Sequence, residues 1–343
     1  MSDIDIRIEG HAGRITLNRP AALNALTYDM VLGIESVIDE WREADIGLVM
    51  IDAVGTRAFC AGGDIADMYR SGQANDLTYG RQFWRDEYRL NAKLFEFPKP
   101  VVSFMQGFTM GGGVGIGCHG SHRIVGESSR IAMPECGIGL VPDVGGSLIL
   151  ASCPGHLGEY LGLTGTRMGA GDAIYAGFAD GFIREAEWET VKARLVEGDI
   201  DAIEYQTPPN GRLLAMQADI DRHFAGKTLG EIERGLLADT SDFAAQTLKT
   251  LRRHAPLAMG CCLQIVRRLR GEVNIRPALD LEYRFAYRAV AQGDFIEGIR
   301  AAIIDKDRSP NWAHATISDL SIDDVDKMLM PLGVDALAWE ETT

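Results

Sequence analysis

The chain has 343 residues, a formal charge of -15, and 46% apolar and 24% charged residues. That length can bury a substantial core, and the balance is that of a globular protein, which excludes disordered and fibrous classes. The acidic surplus argues against a diffuse basic surface for nucleic acid or an anionic membrane, but leaves room for a polyanionic small ligand held in a local pocket of N–H groups.

Met1–Gly10 alternates charge with isoleucine and lacks the basic and apolar regions of a signal peptide. No apolar run of about 18 residues suggests a membrane span, so a cytoplasmic location is expected. Within this opening Ile4, Ile6 and Ile8 have period two, as do Ile15 and Leu17, predicting two strands. Thr27 is a plausible N-cap for a helix in which Met30, Val31, Ile34, Val37, Ile38 and Trp41 recur at helical spacing. Together these form a β-β-α unit.

Ile46–Val54 is a nearly continuous apolar run, as expected of a strand covered on both faces. It leads to Phe59-Cys60-Ala61-Gly62-Gly63-Asp64, a glycine turn that taken alone is a tight turn with an Asp cap. A second apolar run, Pro100–Met105, leads to Gly107–Gly115, where Gly111, Gly112 and Gly113 let the backbone approach a ligand or a crossing element closely. Two backbone N–H groups from two such junctions can form an oxyanion hole, each donor contributing about 2.7 to 4 kcal/mol in the transition state.

Gly115-Ile116-Gly117-Cys118-His119-Gly120 fits G-x-G-x-x-G, but residues 121–126 read as a turn and a strand where a dinucleotide site needs an opening helix. The site is rejected, and His119 and His122 are read as structural. Arg123–Val125 and Arg130–Met133 are further short strands. In Ala132–Gly146, Glu135 and Asp143 stand eight residues apart among apolar residues, glycine and proline. A buried carboxylate is costly unless paired or functional, so these two are candidate catalytic groups; otherwise Glu135 ends a strand and Asp143 caps the next helix.

From about Glu185 helical patterns dominate, broken by Pro208-Pro209-Asn210. The expected organisation is an α/β core over residues 1–190 and a mainly helical region over 191–343. The six cysteines, Cys60, Cys118, Cys136, Cys153, Cys261 and Cys262, show no C-x-x-C spacing and read as reduced thiols, with no metal assigned. No G-x-S-x-G elbow, Walker loop or H-E-x-x-H is present.

In this order the features resemble the crotonase (enoyl-CoA hydratase/isomerase) superfamily, beginning at Ile15-Thr16-Leu17-Asn18-Arg19-Pro20 with Leu23-Asn24-Ala25-Leu26. The resemblance implies a crotonase-like spiral of β-β-α units with a helical C-terminal region, an acyl-CoA substrate and no separate cofactor, coenzyme A being part of the substrate. It also implies a homo-oligomer, a trimer or a pair of trimers. Carried over by position, the oxyanion donors are the N–H groups of Gly63 and Gly112, with Ala61, Gly62 and Asp64 beside the CoA. Arg57 and the cluster Arg267, Arg268 and Arg270 are candidates for its phosphates, a solvated face being the plainer reading of the cluster.

A prototype hydratase carries a glutamate where Gly115 stands, so its carboxylate pair is broken here; the absence also counts against a dienoyl-CoA isomerase. Met133-Pro134-Glu135 with Pro142-Asp143, Arg85-Asp86-Glu87-Tyr88 and Asp294–Gly298 through Asp305-Lys306-Asp307 are similar to the 3-hydroxyisobutyryl-CoA hydrolases of valine breakdown. On that resemblance Glu135 attacks the thioester carbonyl or activates water, Asp143 orients the substrate hydroxyl or the water, and Glu87 lines the acyl pocket. A non-catalytic CoA-binding protein, with Glu135 and Asp143 serving only as caps, is the alternative outside enzymes.

Overall fold

A computed structural model describes residues 2–339; the last four residues of the expected helical region lie outside them. Two units interleave in sequence. Unit one is Met1–Asp64, Arg89–Ala132 and Arg167–Leu214, and unit two is Ile65–Tyr88, Met133–Thr166 and Ala215–Thr343.

Among the described residues, unit one contains nine strands: β1 Ile4–Glu9, β2 Ala12–Leu17, β3 Leu48–Ala53, β4 Ala58–Cys60, β5 Val101–Met105, β6 Phe108–Met110, β7 His122–Val125, β8 Arg130–Ala132 and β9 Gly181–Phe182. They form a six-stranded sheet in the order β1-β2-β3-β5-β7-β9 and a three-stranded sheet in the order β4-β6-β8. Only the β1–β2 pair is antiparallel, with Ile4 opposite Leu17; β2 through β9 run parallel along the large sheet. From β3 onward each pair of consecutive strands places its first member in the large sheet and its second in the small one. This is the expected spiral of β-β-α units.

The helix Tyr28–Glu43 starts at Thr27, whose side chain accepts from the Met30 N–H at 3.2 Å, and it buries the apolar stripe read from the sequence. One face of the large sheet packs Leu48, Met50, Val102, Phe104 and Ile124 against Ile183, Trp188, Val191 and Leu195. These contacts, with the β7–β9 pairing, explain why the chain does not divide near residue 190: the segment beyond it completes the unit-one core. The strands β4, β6 and β9, two or three residues each, escape a reading based on periodicity.

Asn24 fixes the entrance to β4. It adopts a left-handed backbone (φ 56°) and is buried. Its Nδ2 donates to the carbonyls of Val54 and Ala58 at 3.0 and 2.9 Å, and its Oδ1 accepts from the Arg19 N–H at 2.8 Å. Asn24→Ala leaves those backbone groups without partners, so it should destabilise the protein by roughly 1–3 kcal/mol in urea unfolding. A midpoint unchanged from wild type would show that this loop does not support β4.

Unit two is helical. Its longer helices include Pro256–Arg268 and Ile275–Gln292, and it also receives the first part of the helix Thr78–Phe95, up to Tyr88. Leu229–Leu237, Asp242–Leu251 and Ile322–Leu329 are each opened by a Ser or Thr side chain accepting a backbone N–H, at Thr228, Ser241 and Ser321.

Candidate active site

In unit one the neighbouring parallel strands β4 and β6 both end in glycine turns. Gly62 has φ +113°, which L-residues rarely adopt. A Cβ at Gly113 would collide with the Cys60 carbonyl, so glycine there lets the two turns approach. Ala61 N–H donates to Leu23 O at 3.0 Å, and Leu26 bridges Gly63 in parallel fashion through the Gly62 carbonyl and the Asp64 N–H, at 2.9 and 2.8 Å. In such a bridge the N–H of the central residue points away from its neighbour, which turns the Gly63 N–H away from Leu26. Gly112 opens the helix Gly112–Gly117, where a first-turn N–H has no intrahelical acceptor. Both N–H groups are thus available for an oxyanion. Asp64, expected beside the CoA, pairs with Arg19 at 3.1 Å.

The G-x-G-x-x-G match covers the end of that helix and the turn into β7, so no helix opens within it. His119 packs edge-on against Phe95, and His122 lies in β7.

Among the carboxyl groups that unit two buries are Glu87, Glu135, Asp143 and Glu282. Glu87 projects from the helix Thr78–Phe95 and Glu135 opens the short turn of helix Glu135–Ile138. Asp143 follows Pro142 in an irregular segment, and Glu282 lies within Ile275–Gln292. Tyr88 Oη donates to Asp143 Oδ2 at 2.9 Å. Glu87 Oε1 and Glu135 Oε2 are buried with no hydrogen-bond partner.

Burial, then the Asp143 charge, pushes the Glu87 and Glu135 carboxyls well above the ordinary range. Burial also raises Asp143 to about 7 against the opposing Tyr88 hydrogen bond. Burial thus favours the protonated form of Glu87 and Glu135, while Asp143 can gain or lose a proton near neutrality.

Asp143 does not cap the next helix with its side chain. The helix Gly146–Ser152 is capped by Glu282, whose Oε2 accepts from Gly145 N at 2.9 Å and whose Oε1 accepts from Ser147 N at 3.1 Å and from Ser147 Oγ. Nor does Glu135 end a strand; it begins a helical turn after Pro134. Between Asp143 and Gly145, Val144 has φ 54°. A β-branched residue in that region stores roughly 1–3 kcal/mol and persists only where its surroundings hold it.

The remaining candidates are spread over both units. Arg57 is exposed at the start of β4. Arg267 and Arg270 turn to the buried Glu159, at 3.4 and 2.7 Å, whereas Arg268 pairs with the exposed Asp326 at 3.5 Å, so the cluster is part structural ion pair and part solvated face. The Asp294–Gly298 and Asp305–Asp307 motifs likewise converge on Arg300, which bonds Glu297, Asp305 and Asp307 at 2.7 Å each.

The sequence alone assigns no role to Tyr88 or Glu282. Glu282 carried a legible signal: it sits on the apolar stripe of its helix, between Ala278 and Leu279 on one side and Phe285 and Ala286 on the other.

Residues 12–329 match the model of a family described as Enoyl-CoA hydratase/isomerase. The chain is 35% identical to the mitochondrial 3-hydroxyisobutyryl-CoA hydrolase of Gallus gallus, over 97% of this chain and 90% of that protein. It is similar to a solved enoyl-CoA hydratase from Rhodobacter sphaeroides 2.4.1, with TM-score 0.96, 57% identity, and coverage of 98% of this chain and 100% of that one. A solved carnitinyl-CoA dehydratase from Mycobacterium thermoresistibile matches with TM-score 0.94 and 35% identity, covering 99% and 100% of the two chains.

The raised Asp143 group makes a prediction of definite sign. The unfolded carboxyl ionises near 3.8, the folded one near 7, so its contribution to stability is full below 3.8 and is lost as pH rises through 7. Asp143→Asn should therefore be more stable than wild type at pH 8, by on the order of 1–4 kcal/mol, and the difference should shrink towards pH 4. Unfolding titrations at the two pH values decide it; a wild type as stable as the variant at pH 8 would mean that burial does not penalise this carboxylate.

Proposed function

The chain belongs to the enoyl-CoA hydratase/isomerase family, and we propose that within it the protein hydrolyses a short-chain acyl-CoA thioester, 3-hydroxyisobutyryl-CoA foremost, to 3-hydroxyisobutyrate and CoA. The observation that carries this reading is that neither Glu135 nor Asp143 serves as a cap: Glu282 caps the helix, leaving two buried carboxyls without a capping task. Such groups are costly, and chemistry on a substrate is what accounts for them.

Hydrolysis needs donors for the thioester oxyanion, a nucleophile and a proton carrier. By position in the family the N–H groups of Gly63 and Gly112 stabilise the oxyanion. Glu135 is the reacting carboxyl: ionised, it either attacks the carbonyl carbon, forming a mixed anhydride that water opens, or takes a proton from the attacking water. The C–S bond breaks, the sulfur leaves as thiolate, and it takes up the proton that the reacting water releases. Asp143, close to neutrality in its pKa and bonded by Tyr88, orients the water or the substrate hydroxyl. The unpartnered Glu87 Oε1 suits the hydroxyl of a short hydroxyacyl chain.

Hydration of a double bond in this family uses a second glutamate at the position of Gly115, which lies here in a buried glycine-rich helix with no side chain to offer. The curated relative named above is a hydrolase, whereas the two solved structures are named a hydratase and a dehydratase. The assay must therefore compare both reactions. Free-thiol release from 3-hydroxyisobutyryl-CoA should exceed hydration of crotonyl-CoA, and Glu135→Gln and Asp143→Asn should each lower kcat for thiol release by about 10²–10⁴-fold. Hydration without thiol release would sink the hydrolase reading, and CoA binding without either reaction would point to the non-catalytic alternative.

A further inference from the structure

The helix Ile275–Gln292 supports the Asp143 segment in two ways. Glu282 takes the N–H groups of Gly145 and Ser147 and the Ser147 hydroxyl, the backbone that immediately follows Val144. One residue on, Tyr283 packs edge-on against Tyr88 with ring centroids 6.1 Å apart, and Tyr88 is the residue that bonds Asp143. The Tyr283 hydroxyl is in turn tied to the Arg81 carbonyl at 3.3 Å. Both routes end at the same carboxyl.

We propose that Glu282 is a positioning residue for the acyl-CoA reaction: by gripping Gly145 and Ser147 it holds Val144 in the left-handed conformation that aims Asp143. The inference rests on the reading of Asp143 as an active-site group, which it deepens. Three observations support it independently of that reading. Glu282 is fully buried, so its carboxyl would be costly without these donors. The helix it caps has Gly145 at its N-cap, a residue with no side chain to do the task. The residue in the left-handed region is valine, which cannot stay there unaided, whereas glycine could.

Glutamine is the closest replacement that tests the grip. Its amide keeps one acceptor oxygen but turns an NH2 group towards a backbone N–H, so one of the two backbone bonds is lost. Glu282→Gln should fold cooperatively yet lower kcat for thiol release at least tenfold, with KM changed by less than about threefold, because substrate still binds while Asp143 is misaimed. Its Gly145 and Ser147 amides should also exchange with solvent at least tenfold faster, a readout that needs no activity. Adding Val144→Gly to Glu282→Gln should restore several-fold of kcat, since glycine adopts the required φ without the grip. Ser147→Ala, which removes only the hydroxyl donor, should give a smaller kcat loss with an unchanged melting temperature.

A Glu282→Gln enzyme with wild-type kcat and wild-type amide exchange overturns the inference. So does a double variant no faster than Glu282→Gln alone, since the loss would then not pass through Val144. If Glu282→Gln fails to fold, a Ser147→Ala enzyme with undiminished kcat overturns it instead. Asp143→Asn, assayed alongside, separates the two levels: undiminished thiol release in that variant refutes the active-site reading, whereas its loss together with an unimpaired Glu282→Gln refutes only the positioning role.

Discussion

The desolvation of carboxyl groups is the constraint around which unit two is organised. A carboxylate moved out of water must lose its charge, find donors or face a cation, and Glu87, Glu135, Asp143 and Glu282 answer this in different ways. Glu282 finds three donors, although burial still pushes it up to about 8. Asp143 has one, the Tyr88 hydroxyl. Glu87 and Glu135 each keep a buried oxygen without a partner, and burial pushes both carboxyls well above the ordinary range. On the proposed reading, the gradient from well-satisfied to unsatisfied separates the group that shapes the backbone from the groups left for a substrate.

That gradient also explains why an unusual backbone is tolerated at Val144. A left-handed valine would relax if the turn around it could move, but its C-terminal side is fixed by Glu282 and by the helix Gly146–Ser152, which is buried from Gly146 to Ala151. Strain held next to a carboxyl that titrates near neutrality is the pattern of an active-site segment, where preorganisation is bought with stability drawn from the surrounding packing.

Much of this was legible in the sequence, and the limits have physical causes. The helix from Thr27, the apolar strands near Val49 and Val102, and the two glycine turns rest on local pattern, so they could be read directly. The carboxyls of Glu135 and Asp143 stood out because an acid amid glycine, proline and apolar residues conflicts with its surroundings. What could not be read was which acid caps which helix. Capping of Gly146–Ser152 comes from a residue 135 positions away in sequence, and no spacing rule reaches that far. The same limit hid the partner of Asp143, 55 positions away, and the burial of Glu159 that draws in Arg267 and Arg270. The interleaved units have a related origin, since β9 joins the large sheet by pairing with β7 and so draws the chain past residue 190 back to unit one.

The contrast between hydration and hydrolysis then reduces to where acids stand. Hydration by the family's route requires two glutamates to hold one water against a double bond, and a glycine at position 115 cannot be compensated from within its own helix, whose six residues are Gly112, Gly113, Val114, Gly115, Ile116 and Gly117 and carry no polar side chain. Thioester hydrolysis is less demanding: the carbonyl is already electrophilic, the oxyanion donors are backbone groups that glycine supplies without a side chain, and one carboxyl can serve as nucleophile or base while another manages a proton. On the proposed reading, a chain that lacks the acid at 115 but keeps Glu135 and Asp143 buried and free of capping suits the second reaction better than the first.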